Sequence, residues 1–276
     1  MTTHDEQRTA TPPAPTPTLS LFRHVLVGID GTAPSFEACR QVARLAEPDT
    51  AVDLVAVVHL AEAVHAGMDA PHVADELERE AEQALVEAQR IFEGRAVARS
   101  LNGFATATLH HEVERRGATL LALGSHGHRR LTEILIGGVA GELLHLAPCS
   151  VLIARPAADA DAFRRAIVVG FDGSDSALAA VDEAAALAAR MGSELRVVAA
   201  RRGKHIDEGA IRSARPDAAV VDLHPVEALV AASSAADLVV VGSRGLHGPR
   251  ALGSVSERVA HQARCSVLVV RARNPA

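Results

Sequence analysis

The sequence holds no tryptophan and no tyrosine, and only six phenylalanines among 276 residues. A stacking platform for nucleic-acid bases would be hard to build from so few rings. Lysine is nearly absent too: Lys204 is the single one, and every other formal cation is an arginine. No lysine therefore follows a glycine loop of the form G-x-x-x-x-G-K-[ST], which excludes a P-loop. A net charge of −6 and the lack of any basic run argue against nucleic acid as the main partner. Three cysteines, Cys39, Cys149 and Cys265, are too few and too scattered for a disulfide scaffold or a zinc site. No apolar run reaches the roughly 18 residues of a membrane span, so no membrane partner is expected. The N-terminus carries Asp5 and Glu6 and no apolar h-region. It does not read as a signal peptide, and a cytoplasmic location is expected.

What is present is ample apolar content, 48%, with an ordinary 22% of charged residues, over a length that suits about two domains. Residues 1–20 hold four prolines among Thr and Ala and read as a disordered or polyproline-like tail. From His24 the chain alternates strand and helix. His24–Ile29 is a short β-branched run ending in Asp30-Gly31-Thr32, and a helix follows with Phe36, Cys39, Val42 and Leu45 on one face. Leu54–Leu60 reads as a second strand, 61–72 as a loop and 73–92 as a long amphipathic helix. Ala96–Leu101, Leu120–Leu123 and Ser150–Ala154 are further strands, with a helix over Thr106–Arg116. This alternation predicts a doubly wound α/β domain with an open, mostly parallel sheet.

Residues 155–165, with Pro156 and several Ala and Asp, read as a linker, and the pattern then restarts. Ile167-Val168-Val169-Gly170-Phe171-Asp172-Gly173-Ser174 repeats Val25-Leu26-Val27-Gly28-Ile29-Asp30-Gly31-Thr32 at an offset of 142. Val239 to Gly245 repeats Leu121 to Gly127 at an offset of 118, and Cys265-Ser266-Val267-Leu268 repeats Cys149-Ser150-Val151-Leu152 at 116. The chain is an internal duplication whose second copy is trimmed in the region of the loop and long helix. The domains are 21–156 and 165–274, with 157–164 between them.

The stretch on which each copy turns is its glycine loop. Gly124-Ser125-His126-Gly127 lies behind the apolar run Leu120–Leu123, and Gly137-Gly138 follows after nine residues at the head of another helical pattern. A strand, glycine loop and helix in that order offer free N–H groups and a positive helix end to an anion. The same glycines also suit a tight βα turn with no ligand. In a sheet of order 3-2-1-4-5, strands one and four flank the topological switch, where ligands bind outside the carboxyl ends. Asp30 and Gly124 then meet there. Asp30 is placed to accept from a ribose hydroxyl or an adenine amine, or to serve as a turn and capping residue. Gly124, Gly127, Gly137 and Gly138 supply N–H groups to phosphates.

Both copies resemble the universal stress protein (UspA) family, whose nucleotide-binding members carry G-x2-G-x9-G-[ST] after the fourth strand. Copy one has Gly124-x2-Gly127-x9-Gly137, with Gly138 in place of the hydroxyl residue and Ala140 in place of a second. Copy two keeps Gly253-Ser254-Val255-Ser256, but only seven residues separate Gly245 from Gly253. The resemblance implies two Rossmann-like domains of the adenine nucleotide alpha hydrolase-like kind, each with a five-stranded sheet, and a role in stress adaptation. It implies ATP, with or without Mg2+, as the ligand, and Leu60 as a liner of the adenine pocket. Losing one hydroxyl removes one hydrogen bond, about 0.5–1.5 kcal/mol, whereas shortening a loop moves several donors at once. Copy one is therefore expected to be the better site, with Arg129 and Arg130 beside the phosphates or solvated at the surface. Asp172, Gly242, Gly245, Gly253, Ser254 and Ser256 form the weaker site in copy two.

His110, His111, His126 and His128 match no common metal spacing and read as surface residues. Cys149 and Cys265 have no cation adjacent in the sequence and read as small core residues. The fifth strands, 150–154 and 266–270, are almost wholly apolar, and such edges need a partner. By the resemblance they pair as an intramolecular pseudo-dimer, to which further homo-oligomerisation is open. No paired-carboxylate or metal-ligand constellation lies beside the glycine loop, so a binding protein is expected rather than an enzyme. A slow ATPase and a module that binds no nucleotide are the rival readings.

Overall fold

A computed structural model describes residues 21–61, 70–125, 136–156, 165–202, 208–243 and 253–271. The tail, the linker 157–164 and the loop residues Gly127, Arg129, Arg130 and Gly245 lie outside them, as do His126 and His128. The first copy runs β1 (His24–Ile29), α1 (Ala33–Leu45), β2 (Ala51–Val58), α2 (Ala70–Ile91), β3 (Val97–Asn102), α3 (Ala105–Arg116), β4 (Leu120–Gly124), α4 (Gly138–Leu146) and β5 (Ser150–Ala154). The second runs β6 (Ala166–Gly170), α5 (Asp175–Met191), β7 (Glu194–Ala200), α6 (Glu208–Ala214), β8 (Ala219–Val221), α7 (Pro225–Ser233), β9 (Leu238–Gly242), α8 (Ser254–Gln262) and β10 (Ser266–Val270).

All strands join one ten-stranded sheet of order β3-β2-β1-β4-β5-β10-β9-β6-β7-β8. Each copy contributes the order 3-2-1-4-5 with parallel neighbours, and the only antiparallel pair among these strands is β5 with β10. That pair is centred on Leu152 opposite Leu268, flanked by Val151–Val269 and Ile153–Val267. Every residue of both strands is buried, so neither presents an edge to solvent. Because side chains alternate across a strand, the two strands feed both faces. Leu152 and Leu268 join the core under α1, α2 and α5. Val151, Ile153, Val267 and Val269 join the core under α3, α4, α7 and α8. Both cores run unbroken from one copy into the other.

Several boundaries differ from the sequence reading, most by one or two residues and two of them by three at the start of an element. Strand β2 begins at Ala51 rather than Leu54, because Asp53 is admitted into it, 3% exposed. A buried carboxylate needs partners. Asp53 has His24 Nε2 at 2.7 Å and Arg116 Nη1 at 3.2 Å, so a residue that seemed to precede the strand is part of it. Helix α2 begins at Ala70 rather than 73. Nor is Arg155 a linker residue: it is 1% exposed and packed against the second copy. Its Nη1 donates to the Cys265 carbonyl at 3.3 Å and its Nη2 to the Ala260 carbonyl. Desolvation lowers it to about 10, opposed by Cys265, so it stays charged near neutrality.

The cysteines pack in the core, but each has a neighbouring cation: Arg40 for Cys39, and for Cys149 and Cys265 one supplied across the junction of the copies. Arg271 faces Cys149, and Arg155 faces Cys265. Burial outweighs all three: desolvation pushes the thiols of Cys39, Cys149 and Cys265 up to about 12, each from an ordinary 9.0. Such thiols are not nucleophiles near neutrality. A disulfide-exchange reagent at pH 8 is therefore expected to label none of the three until the protein is unfolded. Their protons bind more tightly in the folded chain, so this part of the stability is intact below pH 9 and is lost as pH rises from 9 toward 12. A urea midpoint that falls steeply above pH 9 checks the sign.

Candidate functional site

The sheet opens where the two central strands part. Strands β1 and β4 pair only from Val25–Leu120 to Val27–Ala122, while β4 continues against β5 as far as Gly124–Ala154. In the second copy β6 and β9 pair to Val169–Val240, and β9 continues against β10 to Gly242–Val270. The carboxyl ends of the central strands splay, and a cleft lies in each gap. The clefts have open volumes of about 100 Å3 in copy one and about 110 Å3 in copy two. Equivalent positions line both: Gly28 and Gly170, Asp30 and Asp172, Val55 and Val198, Leu109 and Leu229, Gly124 and Gly242, Val139 and Val255.

Asp30 stands at the exposed end of β1. Its Oδ1 accepts from the Thr32 N–H at 3.0 Å and from Thr32 Oγ1 at 2.6 Å. Gly31 has φ +74°, which a side chain would resist. The aspartate thus closes the turn that starts α1, as the turn reading had it. Both bonds fall on one oxygen, and among the described residues Oδ2 takes none. Asp172 builds the same turn: Oδ1 accepts from Ser174 N at 3.2 Å and Oγ at 2.5 Å, with Gly173 at φ +80°.

Gly124 and Gly242 owe their identity to packing. A Cβ on Gly124 would lie 2.5 Å from the Pro34 carbonyl carbon and 2.6 Å from Ser35 N. One on Gly242 would lie 2.2 Å from the Ser176 carbonyl oxygen. The first turns of α1 and α5 pass directly over these strand ends. Gly137 and Gly253 cap the helices that face the clefts, each with extended backbone and no side-chain cap bond. Gly138 opens α4, and among the described residues nothing lies within 4 Å of a Cβ built on it. Ser254 takes that position in α8 and is exposed, while Ser256 is turned inward, its Oγ donating to the Gly242 carbonyl at 2.8 Å. The first N–H groups of both helices therefore open toward the clefts, with the positive helix end behind them.

Leu60 lies two residues past the end of β2, half-buried. The apolar wall of cleft one comes instead from Val55 and Val57. The valines were missed because a buried strand reads as continuous apolar sequence. Gly28 and Gly170 were missed although the repeat displays them: a Cβ there would meet Leu123 Cδ2 at 2.7 Å and Leu229 Cδ1 at 2.9 Å. Among the described lining residues of the two clefts there is no arginine. Cleft one adjoins a larger recess of about 460 Å3 beneath α2, sharing Ile29, Asp30 and Val57 with it and adding His59 and Glu80. The His59 ring lies 4.3 Å from that of Phe104. His110 bonds the Leu146 carbonyl at 3.1 Å. Among the described residues no group of three or more His, Cys, Asp or Glu is arranged to hold a metal ion, and no helix is long and apolar enough to cross a membrane.

The sequence pattern of the Universal stress protein family matches residues 21–155, 164–210 and 199–271. A universal stress protein of Mycolicibacterium smegmatis is 29% identical over 297 aligned positions, covering 90% of this chain and 97% of its own. One from Mycobacterium tuberculosis is 33% identical over 183 positions, covering 56% and 62%. The crystal structure of a universal stress protein from Archaeoglobus fulgidus superposes with a TM-score of 0.75 at 22% identity, over 90% of this chain and 98% of that one.

Proposed function

Because the chain belongs to the universal stress protein family, with the family pattern repeated along it, we propose that it is an adenine-nucleotide-binding regulator in stress adaptation. ATP is the ligand, and the first copy holds the better site. The observation that carries the reading is the coincidence of the two clefts. Equivalent residues of a duplicated chain, 143 to 116 positions apart, line a gap at the topological switch of each half. The preference for copy one rests on two features. Its cleft continues into the recess under α2, which gives room for a base and ribose beyond the phosphates. The inward hydroxyl of Ser256 in copy two is already committed to Gly242.

In this reading phosphates sit at the first turn of α4, where Gly138 and its neighbours present N–H groups and no side chain. Asp30 Oδ2 accepts from a ribose hydroxyl or the adenine amine, while Oδ1 stays with Thr32. Val55 and Val57 form the apolar wall. The protein binds and does not turn over its ligand, and it acts in the cytoplasm. Mg2+, when present, arrives with the nucleotide.

Calorimetric titration of Mg·ATP into the full chain tests this. Gly138→Val is the informative variant, because among the described residues nothing lies within 4 Å of the added Cβ and the side chain would stand at the proposed phosphate position. Binding by the unaltered protein that is lost in Gly138→Val and kept in Ser254→Val is the expected result. Binding kept in Gly138→Val and lost in Ser254→Val would move the site to copy two. No binding at all would leave Asp30 and Gly124 as turn and packing residues of an interaction module. Steady-state phosphate release above background would make the protein an ATPase.

A further inference from the structure

The junction of the copies carries a crossed pair of arginines. Arg155 follows β5 and Arg271 follows β10, each by one residue, at the same offset of 116 as the strands themselves. Neither side chain stays with its own copy. Arg271 Nη2 donates to the carbonyls of Leu144 at 2.7 Å and His145 at 3.3 Å, both in the last turn of α4. Arg155 Nη2 donates to the carbonyl of Ala260 in the last turn of α8. The backbone N–H groups follow the same symmetry, Arg155 to Ser266 Oγ at 3.0 Å and Arg271 to Ser150 Oγ at 3.2 Å. Apart from the Cys265 carbonyl, which also accepts from Arg155 Nη1 at 3.3 Å, the carbonyls that receive the guanidinium groups belong to the last four of each helix, which have no intrahelical donor. A cation there also meets the negative end of the helix dipole.

The helices so gripped are the two whose other ends open on the clefts. Each has nine residues, about 13 Å of length, and a helix that short has little stability of its own. Its position is set by its packed inner face, Leu143 and Leu144 in α4 and Val259 and Ala260 in α8, together with what holds its ends. In α8 the cleft end is also tied down, through Ser256 Oγ to the Gly242 carbonyl at 2.8 Å. In α4 the corresponding residue is Ala140, which has no hydroxyl to offer.

We propose that Arg271 is a positioning residue for the cleft of copy one and Arg155 for the cleft of copy two, so that each copy sets the phosphate-side helix of the other. This rests on the nucleotide reading above. The first cleft depends on its arginine more than the second, because α4 lacks the serine tether.

The test is titration of Mg·ATP into the full chain carrying Arg271→Met or Arg155→Met. Each is combined in turn with Gly138→Val or Ser254→Val, so that one cleft is read at a time. Arg271→Met is expected to weaken cleft one by about tenfold, the order of effect of an end-on charge contact with a helix, and to leave cleft two unchanged. Arg155→Met should do the reverse with a smaller change. Arg271→Lys, which keeps a cation at the helix end, should recover part of the loss. Amide hydrogen exchange, which needs no ligand, should speed up in 141–146 for Arg271→Met and in 257–262 for Arg155→Met. Equal weakening of both clefts by either variant, or no weakening by either, overturns the inference while ATP binding itself stands. Absence of binding in the unaltered protein overturns the nucleotide reading and this inference with it.

Discussion

Replacing Leu268 by aspartate should abolish the cooperative fold of the whole sheet. Leu268 is fully buried at the centre of the β5–β10 pair, directly opposite Leu152. An ionised carboxylate there would have an apolar side chain across from it and apolar core around it, and a buried charge without a partner is among the costliest single changes. A loss above about 4 kcal/mol is expected, enough to consume much of the stability of a typical domain. Because both cores run through these two strands, the damage should not stay in one copy. Circular dichroism through a urea titration should show a single transition in the unaltered protein and no folded baseline in Leu268→Asp. The control is Val86→Asp on helix α2, where the side chain is 50% exposed. Its cost should stay within about 0.5 kcal/mol. If the two substitutions cost the same, the paired fifth strands do not unite the copies.

The second large effect is expected at glycines that look alike in the sequence and differ in their surroundings. Gly242→Ala and Gly124→Ala each drive a methyl group into helix backbone, with approaches of 2.2 Å and 2.5 Å. Backbone cannot rotate away as a side chain can, so α5 or α1 must lift from the sheet. The cost should reach or exceed the 1–3 kcal/mol usual for overpacking, with Gly242→Ala the worse of the two. Gly141→Ala should go the other way. It lies inside α4, where among the described residues nothing is within 4 Å of the added methyl, and alanine is favoured over glycine in a helix by about 0.5–1 kcal/mol. Thermal unfolding of the three variants measures this directly. A milder effect at Gly242 than at Gly141 would sink the packing account of the strand-end glycines.

These glycines show why part of the site was legible in the sequence and part was not. Gly124 and Asp30 were found, because a motif after an apolar run marks a strand end and the topology then fixes which ends meet. Their reasons were only half visible. The helix over Gly124 comes from residues 33–45, far away in the chain, and no local pattern reports that approach. Asp30 allowed a turn reading and a ligand reading, and the structure gives one oxygen to the turn. Leu60 was placed at the cleft by the family resemblance, as the end of the second strand, but β2 ends at Val58 and the wall residues of the cleft are Val55 and Val57.

The sequence by itself determined the duplication and the alternation of strand and helix. Both follow from repeat spacing and apolar periodicity, which are local quantities carried along the chain, whereas the strand order in each half was taken from the doubly wound class and is seen in the sheet itself. It also marked the fifth strands as surfaces that need covering, since both are apolar after their first serine. Only the tertiary structure decided what the junction does beyond covering them. Arg155 and Arg271 repeat at the right spacing, yet nothing in a one-dimensional pattern says that each reaches a helix of the opposite copy. Their partners are backbone carbonyls, which every residue possesses, so contacts of this kind leave no signature in residue type.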